Sequence, residues 1–93
     1  MSSLIDDDFK DKCYLCGLWC HTEEHHIFGG PCRNASTKYS LVVHLCHSCH
    51  DRLHHHPDGY KLKDYLHKEG QKVFEAKIGS RQQFIDEFIR SYL

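Results

Sequence analysis

The sequence lacks any apolar run long enough to cross a membrane. Its first residues, MSSLIDDDFKDK, hold neither an apolar stretch nor a cleavage-site pattern, so a secretory leader is not expected. Internal repeats and low-complexity tracts are absent. Net charge is also small, at -1 over 93 residues with histidine neutral. Nucleic-acid binders usually neutralise phosphate with a basic surface, and bulk charge gives no sign of one. That balance is uneven, however. Asp6, Asp7, Asp8 and Asp11 face only Lys10 within residues 1–11, so the remainder is more basic than the total suggests. These absences leave one small soluble domain, expected in the cytoplasm and with no membrane partner. A core of this size buries little apolar surface, so a metal or disulfide staple is expected.

Six cysteines and ten histidines are present to supply it. In a cytosolic protein cysteines bind metal more often than they form disulfides. Cys13-x-x-Cys16 and Cys46-x-x-Cys49 form two pairs separated by a long insert. Each such turn presents two thiolates to one ion, and two turns complete the tetrahedron that structural zinc prefers. Zinc would fasten the N-terminal turn to the segment starting at Cys46 and supply folding energy. Cys20 and Cys32 are left over. They are expected as reduced, partly buried thiols, although Cys20 lies close enough to Cys16 to substitute in the site. A disulfide-rich secreted domain is the alternative, weakened by the missing leader.

The chain divides into a flexible acidic N-terminus (1–12) and a single α+β domain (13–93). A zinc-stapled core spans 13–56 and a helical extension 57–93. A cysteine-bearing turn covers 13–24, and His25 to Phe28 reads as a short strand. After Gly29-Gly30-Pro31 a polar loop runs to about Tyr39. Ser40 to Leu45, SLVVHL, is rich in β-branched and apolar residues and reads as a second strand. The two can pair as a hairpin. CHSCHDRLHHH has helical character until Pro57-Asp58-Gly59 ends it. Leu62, Tyr65 and Leu66, then Phe74 and Ile78, repeat at helical spacing, with Gly70 interrupting or separating the turns. Ser80 and Gln83 form a capping-box signature. The stripe Phe84, Ile85, Phe88, Ile89 and Tyr92 follows and reads as core packing.

The histidines are harder to assign. His50 and His54 share one helix face at i, i+4 spacing and can reach a single ion. With His25 they would form a three-histidine site with open positions, as catalysis requires. The competing reading is a surface cluster. His54, His55 and His56 are consecutive, so not all can be ligands, and His55 and His56 are expected in solvent.

His25-His26-Ile27 before Gly29-Gly30, then a strand, then Leu45-Cys46-x-x-Cys49-His50 with His54, resembles the HNH nucleases, the ββα-metal fold. Small phage-encoded, recombination-type members are the nearest in kind. Their tails resemble Gly70-Gln71, Phe74-Glu75, Phe84-Ile85 and Tyr92-Leu93. The motif match spans about residues 13–54. The resemblance implies a metal-dependent DNA endonuclease in which His25, His50 and His54 ligate a catalytic divalent ion (Mg²⁺, Mn²⁺, Ni²⁺ or Zn²⁺). His26 is then the general base, a role suited to imidazole. The ion would neutralise charge on the leaving 3′ oxygen, giving 5′-phosphate and 3′-hydroxyl ends. A phage-encoded protein would work in the host cytoplasm. Target choice would then involve a homodimer or a phage DNA-processing complex.

One departure stands out. The family's middle Asn, which helps orient the general base, belongs about five residues before Cys46, the first cysteine of the second pair. Here that region reads Tyr39-Ser40-Leu41-Val42-Val43-His44, and the only Asn is Asn34. Ser40, His44 or a backbone group are the candidates to replace it. Arg33, Lys38, Arg52, Lys61 and Lys63 are candidate phosphate contacts, with ordinary solvated charge as the alternative for each. The competing function is a non-catalytic zinc module that binds nucleic acid or a partner protein.

Overall fold

The computed structural model describes residues 3–5 and 11–93. Strand β1 (Thr22–His26) pairs antiparallel with β2 (Val42–Cys46), placing His25 opposite Val43 and His26 opposite Val42. Helices α1 (Arg33–Lys38), α2 (His47–His55), α3 (Gly59–Lys77) and α4 (Arg81–Phe88) complete an α+β fold. Every residue of β2 is buried, as its Val-Val-His-Leu run, covered on both faces, requires. Its outer edge is satisfied by the preceding chain: Tyr14 N donates to His44 O (2.8 Å), and Ser3 Oγ to Val42 O.

Within residues 1–12 the described positions make contacts with the rest of the chain. Ser3 is buried, and Leu4 N donates to Ser40 O (2.9 Å). Lys12 bridges to Trp19 across the first cysteine turn. The acidic run Asp6, Asp7 and Asp8 lies outside the described residues.

Both expected strands are shifted. The first starts earlier, at Thr22, and stops at His26, because Ile27 and Phe28 turn into the core. The polar loop after Gly30 contains a 3₁₀ turn (Gly30–Cys32) and α1. Its buried Ser36 Oγ accepts from Phe28 N (3.4 Å) and donates to Leu41 O (2.6 Å), tying α1 to the strand ends. Gly70 does not break α3. A Cβ there would lie 2.9 Å from Phe28 Cε2 and 3.1 Å from Ile27 Cγ2. The glycine therefore serves close packing against the segment that follows the histidine pair.

Phe28, Phe74, Phe84 and Phe88 form the aromatic centre, with Phe84 and Phe88 stacked at 4.6 Å. The capping box at α4 forms as expected, Gln83 N donating to Ser80 Oγ and Ser80 N to Gln83 Oε1. The apolar stripe ends sooner. Ile89 takes φ 79° and is 68% exposed, so it leaves the core. Tyr92 returns to it outside any helix, its N–H bonded to the buried Gln71 side chain at 2.6 Å.

Candidate metal centres and histidine cleft

Two groups of metal-ligating side chains gather among the described residues. One is Cys13, Cys16, Cys46 and Cys49; the other is His25, His50 and His54. In each, the ligand atoms lie within 4.8 Å of one another.

The cysteine group is built by two turns. Gly17 (φ 75°) closes the first, its N–H bonding to Cys13 O at 2.9 Å. Cys46 caps α2, its Sγ accepting from Cys49 N (3.4 Å), while Cys13 Sγ accepts from Cys16 N (3.5 Å). Such N–H groups favour thiolate. Burial raises the Cys13 thiol, but hydrogen bonds from the Cys16 and Cys46 backbone outweigh it and bring it to about 6. Burial and hydrogen bonding to Cys46 and Cys13 push Cys49 up instead. Four sulfurs this close could hold one ion between them, and the donor set fits a structural metal such as zinc. All six cysteines are free of disulfides. Cys32 is buried, its Sγ 3.6 Å from Phe88 O, and Cys20 is half-buried, its Sγ 3.7 Å from Leu18 O.

The histidine group joins β1 to α2. His25 extends from the strand onto the face of α2 that carries His50 and His54 one turn apart. The ring centroids lie 5.4 Å (His25–His50), 5.6 Å (His25–His54) and 4.9 Å (His50–His54) apart. Burial, then the neighbouring His50, His54 and His26, lower His25 to about 4. His54 is lowered as well, by burial and then by His50. Both imidazoles stay neutral near pH 7, so each keeps a lone pair that a cation can use.

His50 has a further partner that sequence reading missed. Its Nδ1 lies 2.7 Å from Glu23 Oε1. The hydrogen bonds from His50 and then His47 hold the Glu23 carboxyl below its ordinary value. With Nδ1 donating to this carboxylate, Nε2 is the atom left for a ligand, an arrangement typical of metal-bound histidine. The signal was present: Glu23 sits two residues before His25 and so shares its strand face.

His26, the last residue of β1, borders the same space. One cleft of about 290 Å³ is lined by His25, His26, His50, His54, Arg33 and the glycines 29 and 30, among others. A second, about 250 Å³, runs from His25, His26 and His54 to Lys63 and His67. Of the candidate phosphate contacts, Arg33 borders the first cleft and Lys63 the second. Lys38 instead lies 3.8 Å from Glu87 and over the Tyr39 ring. Arg52, Ser40 and His44 do not border either cleft. His44 is buried within β2, opposite Glu24. Lys61 lines a neighbouring groove.

The place where an orienting Asn was sought is held by Leu41, which is fully buried. Its carbonyl accepts from Ile27 N at 3.1 Å. From the other side His67, another residue missed by sequence reading, hydrogen-bonds the Ile27 backbone and stacks on Phe28 (5.1 Å, 11°). The main chain just after His26 is therefore fixed from both sides. No family model, curated protein or solved structure matches this chain.

Proposed function

We propose that this chain is a metal-dependent DNA endonuclease of the HNH type, with a ββα-metal core formed by β1, β2 and α2. The observation that carries this reading is the convergence of His25, His50 and His54 within 4.8 Å, with His26 bordering the same cleft. Three imidazole donors with positions left open match a catalytic rather than a structural site. The chemistry a bound divalent ion supplies is charge neutralisation at the leaving 3′ oxygen. His26 accepts a proton from water as its oxygen bonds to phosphorus and the P–O3′ bond breaks. Arg33 in one cleft and Lys63 in the other are the cations that meet the phosphate backbone. Leu41 and His67, by fixing the backbone of Ile27, take over the positioning role of the missing Asn.

The test is plasmid cleavage by the zinc-loaded protein with Mg²⁺, Mn²⁺ or Ni²⁺, beside His26→Ala. Cleavage by the wild-type chain is expected to fall by 10²–10⁴-fold in the variant, roughly the contribution of a general base. Equal cleavage by both, or none by either under any metal, overturns the reading.

The buried Leu41 at the Asn position favours a second reading, a zinc module without catalysis. Metal stoichiometry separates the two. A tight zinc plus a second, exchangeable ion lost in His25→Ala supports the nuclease; a single ion supports the module.

A further inference from the structure

Beyond the histidine cleft, α3 and the C-terminal tail enclose an open groove of about 560 Å³. Tyr60, Lys61, Lys63, His67, Arg90 and Tyr92 line it. Its volume lies within the range of about 300–1,000 Å³ usual for ligand sites. Lys63 and His67 also border the His26 cleft, so the two spaces adjoin.

The lining interleaves cations with aromatic rings. Arg90 lies 4.9 Å from the Tyr92 ring centre, and Lys61 Nζ 6.0 Å from that of Tyr60. Tyr92 packs against His67 (4.5 Å) and Phe28 (5.6 Å), which restrains its ring. Tyr60 is 66% exposed, with most of its ring available. The groove's one carboxylate, Asp64, is already paired with Lys68 at 3.0 Å. Lys63, Arg90 and Lys61, the last 3.9 Å from the exposed Asp58 carboxylate, thus line one groove of a chain whose net charge is -1.

We infer that this groove holds the unpaired strand beside the scissile phosphate, a base stacking on Tyr60 or Tyr92 and phosphates meeting Lys61, Lys63 and Arg90. Aromatic platforms favour single strands, because a base within a duplex already has both faces covered. The inference rests on the nuclease reading for its orientation toward His26. It implies that the substrate is single-stranded, or frayed, on one side of the cut.

The test measures fluorescence anisotropy of labelled (dT)12 and of a 12-base-pair duplex with the zinc-loaded His26→Ala chain, which leaves the probes intact. The single strand is expected to bind more tightly. Tyr60→Ala should weaken it about tenfold and Tyr60→Phe hardly at all. Arg90→Gln should reduce the logarithmic salt slope by about 0.7. Circular dichroism confirms that each variant is folded. Because Tyr60 is largely exposed, its substitution has little to disrupt in the core. Equal binding of both probes, or full affinity in folded Tyr60→Ala and Arg90→Gln, overturns the inference even if plasmid is cut. Binding with these losses, together with no cleavage by the wild-type chain, sustains the groove and overturns the nuclease reading alone.

Discussion

Replacing Glu23 should loosen the histidine site without loosening the fold. Its carboxylate receives His50 Nδ1 at 2.7 Å and His47 Nδ1 at 3.2 Å. The two contacts differ in weight. The His50 side chain is 24% exposed, whereas that of His47 is 82% exposed and its ion pair is screened. Glu23→Ala removes the group that fixes the His50 tautomer and the orientation of its ring. Loss of such a partner lowers metal affinity by about 10–100-fold, or roughly 1.4–2.7 kcal/mol. Glu23→Gln keeps an acceptor of the same size and loses only the charge, so it should fall between wild type and Ala. His47→Ala should change affinity less than about twofold, since the pair it breaks is exposed. The assay is calorimetric titration of Co²⁺ or Ni²⁺ into zinc-loaded protein, with thermal unfolding in parallel. Undiminished affinity in Glu23→Ala refutes the orienting role. A wild-type chain that takes no second ion refutes the site itself.

Two further outcomes follow from packing and titration. Gly70→Ala gains about 1 kcal/mol of helix propensity but forces a methyl against Phe28 and Ile27. Phe28 is held by His67, Phe84, Phe88 and Tyr92 and cannot move aside. Overpacking costs about 1–3 kcal/mol, so urea unfolding should show net destabilisation; a more stable variant would contradict the packing role. His25 contributes to acid sensitivity: its folded value, about 4, lies below the ordinary histidine value. It is neutral when folded and protonated when unfolded across this window, so its contribution is intact above about pH 6.5 and is lost as pH falls toward 4. Wild type should therefore lose on the order of 3 kcal/mol more than His25→Asn over that range, measured by denaturant melts at each pH. Parallel pH profiles for the two proteins would count against it.

How much of this was legible depends on how local each signal is. Two CxxC turns and an i, i+4 histidine pair are written within a few residues, and the fold brings each set together as the spacing implied. The capping box at Ser80 is equally local. Helix α1 was missed because Arg33–Lys38, RNASTK, has no apolar period, its one buried side chain being Ser36. Gly70 reads as a breaker in sequence because the reason for it lies elsewhere, in the rings of Phe28 that come to rest on α3. Ile89 fits the helical stripe by spacing, yet the chain turns out at φ 79° just after Phe88.

The residues that complete the site share one property: each acts across a long sequence separation. Glu23 meets His50 from the other strand-to-helix side, and His67 reaches back to Ile27 from the middle of α3. Tyr60 and Tyr92 share a groove, the tail being anchored at Tyr92 N by the buried Gln71 amide. The side-by-side histidines show the same division. His25 takes its partners from α2, while His26 depends on how Leu41 and His67 hold the next residue. The helical extension is therefore part of the site, since it supplies His67, Lys63 and one wall of the groove. A chain cut after α2 would lose Phe74, Phe84 and Phe88, three of the four rings of the aromatic centre, so the extension also belongs to the core that positions the histidines.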